Sequence, residues 1–100
     1  MYAICYRRKR ADNAQQLRER AEKEIFPKLR QAPGFISLTV IEGEDGENLA
    51  VTLWERREDA AAFQPEMQRW GQVLDQGAPL ISRGQGEVGI HVTPQTDRQG

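Results

Sequence analysis

The sequence predicts an α+β protein of ferredoxin-like, split-βαβ form, in which a four-stranded antiparallel sheet carries its helices on one face. Three observations carry that prediction. Residues 33–63 read as a β-hairpin handing over to a helix, apolar alternation at period two marks a strand near each end of the chain, and amphipathic helical stripes occupy the intervals between. The order is strand, helix, strand, strand, helix, strand.

The first strand is expected over residues 2–6, where Tyr2, Ile4 and Tyr6 alternate with Ala3 and Cys5. The run Arg7-Arg8-Lys9-Arg10 behind it reads as a solvated loop. Asp12 or Asn13 can cap a helix in which Ala14, Leu17, Ala21 and Ile25 recur at three- and four-residue spacing, while Arg18, Glu19, Arg20, Glu22 and Lys23 supply the wet face. Pro27 has no amide donor, which predicts a kink or restart there, with Phe26 and Leu29 still turned inward and Pro33-Gly34 ending the element. The hairpin follows. Residues 35–41 and 49–54 alternate and are rich in β-branched side chains, and the polar, Gly-containing stretch 42–48 between them is a turn.

Beyond Trp54, the apolar positions Ala60, Phe63, Met67, Trp70 and Leu74 form one helical stripe. Pro65 is best tolerated in a first turn, so two pieces are expected, a short one ending near Phe63 and a second from about residue 65 to 74 or 75. Gly77, Pro79, Gly84 and Gly86 mark residues 76–85 as a loop around a Leu80-Ile81 plug. Val88, Ile90 and Val92, alternating with Gly89 and His91, are expected to form the fourth strand over residues 87–92. Residues 1–92 then make one domain, with 93–100 as a polar tail.

A formal net charge of −1, from 14 basic and 15 acidic side chains, gives no electrostatic footprint for nucleic acid or an anionic membrane. No apolar run reaches the length of a membrane span, and the N-terminus lacks the apolar core of a signal peptide, so a cytoplasmic protein is expected. A lone Cys5 forms no internal disulfide, and one Cys with one His leaves too few soft ligands for a structural zinc.

Helices on one face leave the other face of the sheet uncovered. Along the strands the bulky set (Tyr2, Ile4, Tyr6, Ile36, Leu38, Val40, Leu49, Val51, Leu53, Val88, Ile90, Val92) alternates with a small or polar set that includes Ala50, Thr52 and His91, and neither set is charged. A wet apolar face forfeits on the order of 10 kcal/mol, enough to offset much of an association cost of about 4 to 15 kcal/mol. A homodimer in which a second copy covers that face is therefore expected.

Pro33-Gly34-Phe35 at the mouth of the second strand, the Gly-rich hairpin, Leu53-Trp54-Glu55 at the end of the third strand, and Glu58-Asp59-Ala60 leading to Phe63 resemble the antibiotic biosynthesis monooxygenase domains of the dimeric α/β-barrel superfamily. The resemblance spans residues 2–92 in element order, with its motif content in 33–63. It implies two sheets pairing into a barrel, and relatives that oxidise aromatic polyketides without a cofactor, degrade haem, oxidise quinols, or have no established chemistry. The haem-degrading pattern fails at three positions. Arg7 stands where it has an Asn, Phe63 where it has a Trp, and no His follows on the helix. No cofactor and no metal are expected, and the cofactor-free polyketide oxidases need only an apolar slot with a few polar groups, because the substrate's own carbanion reacts with oxygen.

Candidates for lining such a slot are Phe63, Met67, Trp70 and Trp54, with Arg7, His91 or Tyr6 as polar handles. The alternative is that Phe63, Met67 and Trp70 are simply the inward stripe of a core helix. His91, the one imidazole, and Cys5 fall on the same side of their strands but do not compose a catalytic set, and no catalytic residue is assigned. Two function classes follow. One is a small cofactor-independent monooxygenase acting on an aromatic or quinone-like substrate; the other is a non-catalytic homodimeric module of the same fold that binds a small molecule or only itself. A cavity between helices and sheet would favour the first.

Overall fold

The computed structural model describes residues 1–94. Its elements are β1 (Tyr2–Lys9), α1 (Ala14–Glu24), α2 (Phe26–Gln31), β2 (Phe35–Glu42), β3 (Glu47–Trp54), α3 (Arg57–Asp75) and β4 (Leu80–Glu87). All strand pairs are antiparallel, in the order β2-β3-β1-β4, which is the split-βαβ arrangement. α1 and α2 are separated at Ile25, whose amide still donates to the Ala21 carbonyl at 3.0 Å, and Pro27 lies in the first turn of α2 where its missing donor is not needed. That is the restart expected at Pro27.

Register fixes which side chains face the helices. Tyr2 pairs with Trp54, Ile4 with Thr52, Tyr6 with Ala50 and Arg8 with Asn48, and β2 continues these rows with Leu38 and Val40. Directly opposed residues share a face. Tyr2, Ile4, Thr52 and Trp54 are buried, so this is the helix side. Leu49, Val51 and Leu53 therefore lie on the outer face, with Cys5, Arg7 and Ile41. The sequence pattern had grouped them with Tyr2 and Ile4 as the bulky set. In β3 the inward positions are instead Ala50, Thr52 and Trp54, and Thr52 is tolerated there because its hydroxyl accepts from the Trp54 indole N–H at 3.1 Å and donates to the Ile4 carbonyl at 3.5 Å.

The hairpin turns through Gly46 at φ +85, with the Gly43 amide donating to the Glu47 carbonyl at 2.8 Å. Its entry is pinned to the start of α3. Gly34 has φ +76, the Glu55 amide donates to its carbonyl at 2.8 Å, and a Cβ on Gly34 would lie 2.1 Å from Asp59 Oδ2. Only glycine serves in that place.

Three expectations about element boundaries are corrected. β1 runs on through Lys9, so Arg7, Arg8 and Lys9 belong to the strand and alternate across it, and the basic run is not a loop. α3 is one continuous helix of 19 residues through Pro65, not two pieces. Pro65 and Ala61, the residue whose carbonyl loses its donor, are both exposed, so water can serve that carbonyl while the inward stripe holds the helix together.

The fourth strand is Leu80–Glu87, where a loop was expected, and the alternating stretch that ends at Val92 lies outside the sheet. β4 is an edge strand in which Leu80, opposite Arg8, is the one apolar helix-side residue, followed beyond a bulge by the polar Arg83, Gln85 and Glu87, while the outward partners of Cys5 and Ala3 are Gly84 and Gly86, so it has no hydrophobic period to read. Residues 88–92 carry the period but pair with no strand among the described residues. β4 pairs with β1, β1 begins at Tyr2, and the Val88 amide makes the next bond in line, to the Met1 carbonyl at 2.9 Å.

Candidate functional site

Between helices and sheet the interior divides. At the end of the sheet marked by Tyr2 and Trp54, the Trp54 ring meets Phe35 edge-on at 5.4 Å and Phe63 at 5.6 Å, and Ile25, Leu29 and Ala60 complete a closed core. Toward the hairpin end the layers part around a cavity of about 220 Å³. Its ceiling is Ala14, Leu17 and Ala21 of α1 and Met67, Trp70, Gly71 and Leu74 of α3; its floor is Tyr6, Leu38, Val40 and Ala50 of the sheet. Four of the lining positions are small, Ala14, Ala21, Ala50 and Gly71, and side chains of that size leave space between the layers.

The polar groups are few and segregated. Arg8 reaches the lining from β1, its side chain only 14% exposed, and its Nη1 donates to Asp75 Oδ1 at 2.7 Å and to the Ala78 carbonyl at 2.9 Å. Its Nη2 lies 3.3 Å from where a Cβ on Gly71 would be, so that glycine leaves room for the guanidinium. Arg18 and Glu42, exposed at the rim, are paired at 3.1 Å, and Asn48 Oδ1 accepts from Arg10 Nε at 3.0 Å. Arg8, Lys9 and Arg18 outnumber the single lining carboxylate, Glu42, so the lining has a positive balance.

Tyr6 is the distinctive group. Its hydroxyl is buried and has no hydrogen-bond partner among the described residues. The Arg83 guanidinium carbon sits 5.6 Å from the centre of its ring. Burial pushes the phenol above its ordinary value, while Arg83, by its charge and as a donor too poorly placed to make a full hydrogen bond, and the charge of Arg8 pull the other way. A buried hydroxyl left unpaired costs about 1 to 3 kcal/mol, and a local shift that brings a ligand oxygen beside it would recover that.

Of the residues singled out from the sequence, Met67, Trp70 and Tyr6 line the cavity. Phe63 and Trp54 do not; they are packed together in the closed core, 8% and 1% exposed. Arg7 lies on the outer face of the sheet, paired with Glu47 at 3.5 Å, because the strand that continues through it alternates. His91 is exposed beyond β4, off the sheet. Arg8, Ala50 and Gly71 were not foreseen. Continuing the Tyr2, Ile4, Tyr6 alternation one step places Arg8 inside, so the signal was present in the basic run once that run is taken as strand. Among the described residues no group of His, Cys, Asp and Glu side chains could hold a metal ion, and no helix is long and apolar enough to cross a membrane.

No protein-family model matches the sequence, and no curated protein matches it either. Solved structures do match. An antibiotic biosynthesis monooxygenase-fold protein of Deinococcus radiodurans is 14% identical, with a TM-score of 0.74 over 96% of this chain and 100% of that one. A variant of SnoaB, a cofactor-independent oxygenase from Streptomyces nogalater, is 14% identical, with a TM-score of 0.73 over 94% of this chain and 97% of that one. The fold is that of the antibiotic biosynthesis monooxygenases. A third match with this monooxygenase fold, the monooxygenase ActVA-Orf6 of Streptomyces coelicolor in complex with nanaomycin D, is 17% identical, with a TM-score of 0.67 over 94% of this chain and 90% of that one.

Proposed function

We propose that the chain is a cofactor-independent monooxygenase acting on a small aromatic or quinone-like substrate, bound in the cavity under Trp70. The observation that carries this reading is an apolar cavity of about 220 Å³ whose lining includes a half-buried Trp, a Met, and a tyrosine with a buried, unpartnered hydroxyl. An apolar cavity of about 150 Å³ accepts one benzene ring, so this one suits one or two fused rings. In the proposed complex the ring lies against Trp70 and Met67, and its phenolic oxygen accepts a hydrogen bond from the Tyr6 hydroxyl near the Arg8 guanidinium. Both groups stabilise negative charge on that oxygen. The phenolate delocalises this charge into an activated ring CH₂, whose carbanion reduces dioxygen and combines with it. The peroxide then loses water to leave a carbonyl: one oxygen atom stays in the product, the other leaves with the two displaced hydrogens.

The same proposal includes a homodimer. The outer sheet face bears Leu49, Val51, Leu53 and Ile41, and a second sheet packed on it would remove them from water.

A second reading, a binding module without turnover, is favoured by one observation. Among the described residues the lining holds no His or Cys, and its one carboxylate, Glu42, is committed to Arg18. Oxygen uptake separates the two. With naphthols, anthrones and hydroquinones up to about 1 mM, a limit at which binding is worth about 4 kcal/mol, the enzyme consumes oxygen without added metal or flavin, and Trp70 emission changes saturably in a Trp54→Phe background. Trp70→Phe weakens binding roughly tenfold while the fold persists. Saturable binding without oxygen uptake would establish the module, and no binding at all would remove both readings.

A further inference from the structure

The hairpin end of the cavity holds hydrogen-bond donors that have no acceptors. Arg8 and Asn48 stand directly opposite each other on β1 and β3 and both line the cavity, so their side chains rise side by side from the inner face of the sheet. Each is only partly engaged. Arg8 Nη1 donates to Asp75 and to the Ala78 carbonyl, while Nη2, beside Gly71 in the cavity wall, meets no acceptor among the described residues.

The half-buried Asn48 amide is oriented by Arg10. A guanidinium donates and never accepts, so the Asn48 atom that meets Arg10 Nε at 3.0 Å is the carbonyl oxygen. The NH₂ end is thereby left over, and it too has no acceptor among the described residues. Arg10 is held in turn by the Gly43 carbonyl of the hairpin.

Charge points the same way. Arg8, Arg10 and Arg18 gather at this end, whereas the carboxylates that meet them are two, Asp75 on Arg8 Nη1 and Glu42 on Arg18. A neutral oxygen would serve the donors and leave one guanidinium without a counter-charge. A carboxylate does both, because it brings a negative charge and two oxygens to two donors. With the Arg8 side chain only 14% exposed, water screens such a contact weakly.

We infer that this end of the cavity is a carboxylate subsite, and that the ring bound under Trp70 carries an acidic group whose oxygens accept from Arg8 Nη2 and Asn48 Nδ2. The inference deepens the ring-binding reading above and rests on it. Arg8 and Asn48 are the residues that select the acid, and Arg10 is a positioning residue that acts through the Asn48 amide. Tyr6, two residues before Arg8 on the same face of β1, keeps the phenolic oxygen. The substrate class these groups select is an aromatic hydroxy acid.

The test compares a hydroxynaphthoic acid, its methyl ester and the parent naphthol by isothermal titration calorimetry on the full-length chain at neutral pH, where the acid is ionised. The acid is expected to bind at least about tenfold tighter than the ester, the effect of one charge-assisted contact. Asn48→Asp keeps an acceptor for Arg10 and removes the donor, so the acid-to-ester affinity ratio should fall to one or below. A merely structural loss would weaken both ligands alike and leave the ratio as it was. Arg8→Met keeps the apolar stem and should bring the ratio close to one; where that variant is too unstable to titrate, Asn48→Asp, which breaks no ion pair, decides. Arg10→Met releases the amide to turn and is expected to lower the ratio several-fold, and a ratio equal to the parent's would overturn the part given to Asn48. Equal binding of acid and ester by the parent, or an acid preference that survives Asn48→Asp or Arg8→Met, overturns the subsite and leaves the ring site standing. A chain that binds none of the three ligands removes the ring site, and the subsite with it.

Discussion

The two ends of the interior are built from the same layers yet reach opposite results. Around Trp54 the neighbours are large, with Phe35 and Phe63 against the ring, while Leu29 and Ile25 of the same core cluster reach across to the cavity wall. Around the cavity that Trp70 borders, on the same helix as Phe63, the lining includes Ala14, Ala21, Ala50 and Gly71, and space remains. One indole is 1% exposed and sealed by aromatic neighbours; the other is half-buried at the wall of a void. Size at the surrounding positions, and not the hydrophobicity of the stripe, decides which end is core and which is site.

The comparison breaks first at its closed end. Trp54→Ala removes the ring at the centre of the aromatic cluster and leaves the Thr52 hydroxyl without the indole donor. A loss of about 3 to 5 kcal/mol is expected, which lowers the thermal midpoint of a domain of this size by about 15 °C or more. A variant that melts within a few degrees of the parent would show that this end is not the stabilising one.

At the hollow end the expected sign changes. Ala50→Ile adds volume to the cavity floor, where the strand favours a β-branched residue. Stability should hold within about 1 kcal/mol, while affinity for flat aromatic compounds falls at least tenfold, measured by titration of Trp70 emission against chemical denaturation of the same sample. A destabilised variant would mean that the void is filled by relaxation in solution and the two ends are alike.

The smallest effect belongs to Tyr6. Tyr6→Phe discards an unpartnered buried hydroxyl, so stability is expected to stay level or rise by up to about 1 kcal/mol at neutral pH, while turnover falls. The parent's raised phenol pKa sets the sign of its pH dependence. Below the ordinary tyrosine value of about 10 both folded and unfolded chains hold the proton; above it the unfolded chain releases the proton first, so stability declines as pH rises through 10 toward the folded value. Tyr6→Phe should flatten that decline in urea titrations at pH 9 to 11. An unchanged slope would place the phenol in contact with water.

Most of the fold was legible because its signals are local. Pro27, the turn at Gly46 and the Pro33-Gly34 stop each act through the backbone of a few residues. The misplacement at the C-terminal end has a physical cause as well. Alternation in residues 88–92 reports a preference for strand without reporting whether a neighbour is present, and β4, which has a neighbour, carries glycines and polar side chains that show no period. The site was legible only in part for a related reason. Met67 and Trp70 stand out as large residues, but a cavity is made by the small ones in its lining, and Ala50 looks unremarkable until the register places it on the inner face of the sheet, as does Gly71 until the helix turns it toward Arg8. Arg8 was hidden by a strand read two residues too short to reach it.

Pro65 lies between Phe63 and Trp70 on the uninterrupted α3. Its ring leaves the Ala61 carbonyl without a helical donor, so one bond of the ladder is already missing there. Phe63, on the near side, is clamped against Trp54. Trp70, about 10 Å further along the axis, packs against the edge of the core and borders the cavity. α3 is thus pinned at two points, by Phe63 against Trp54 and by Asp75, which accepts from Arg8 Nη1 at 2.7 Å, so the segment that carries Met67 and Trp70 is a span supported at both ends, with the proline just inside its first support.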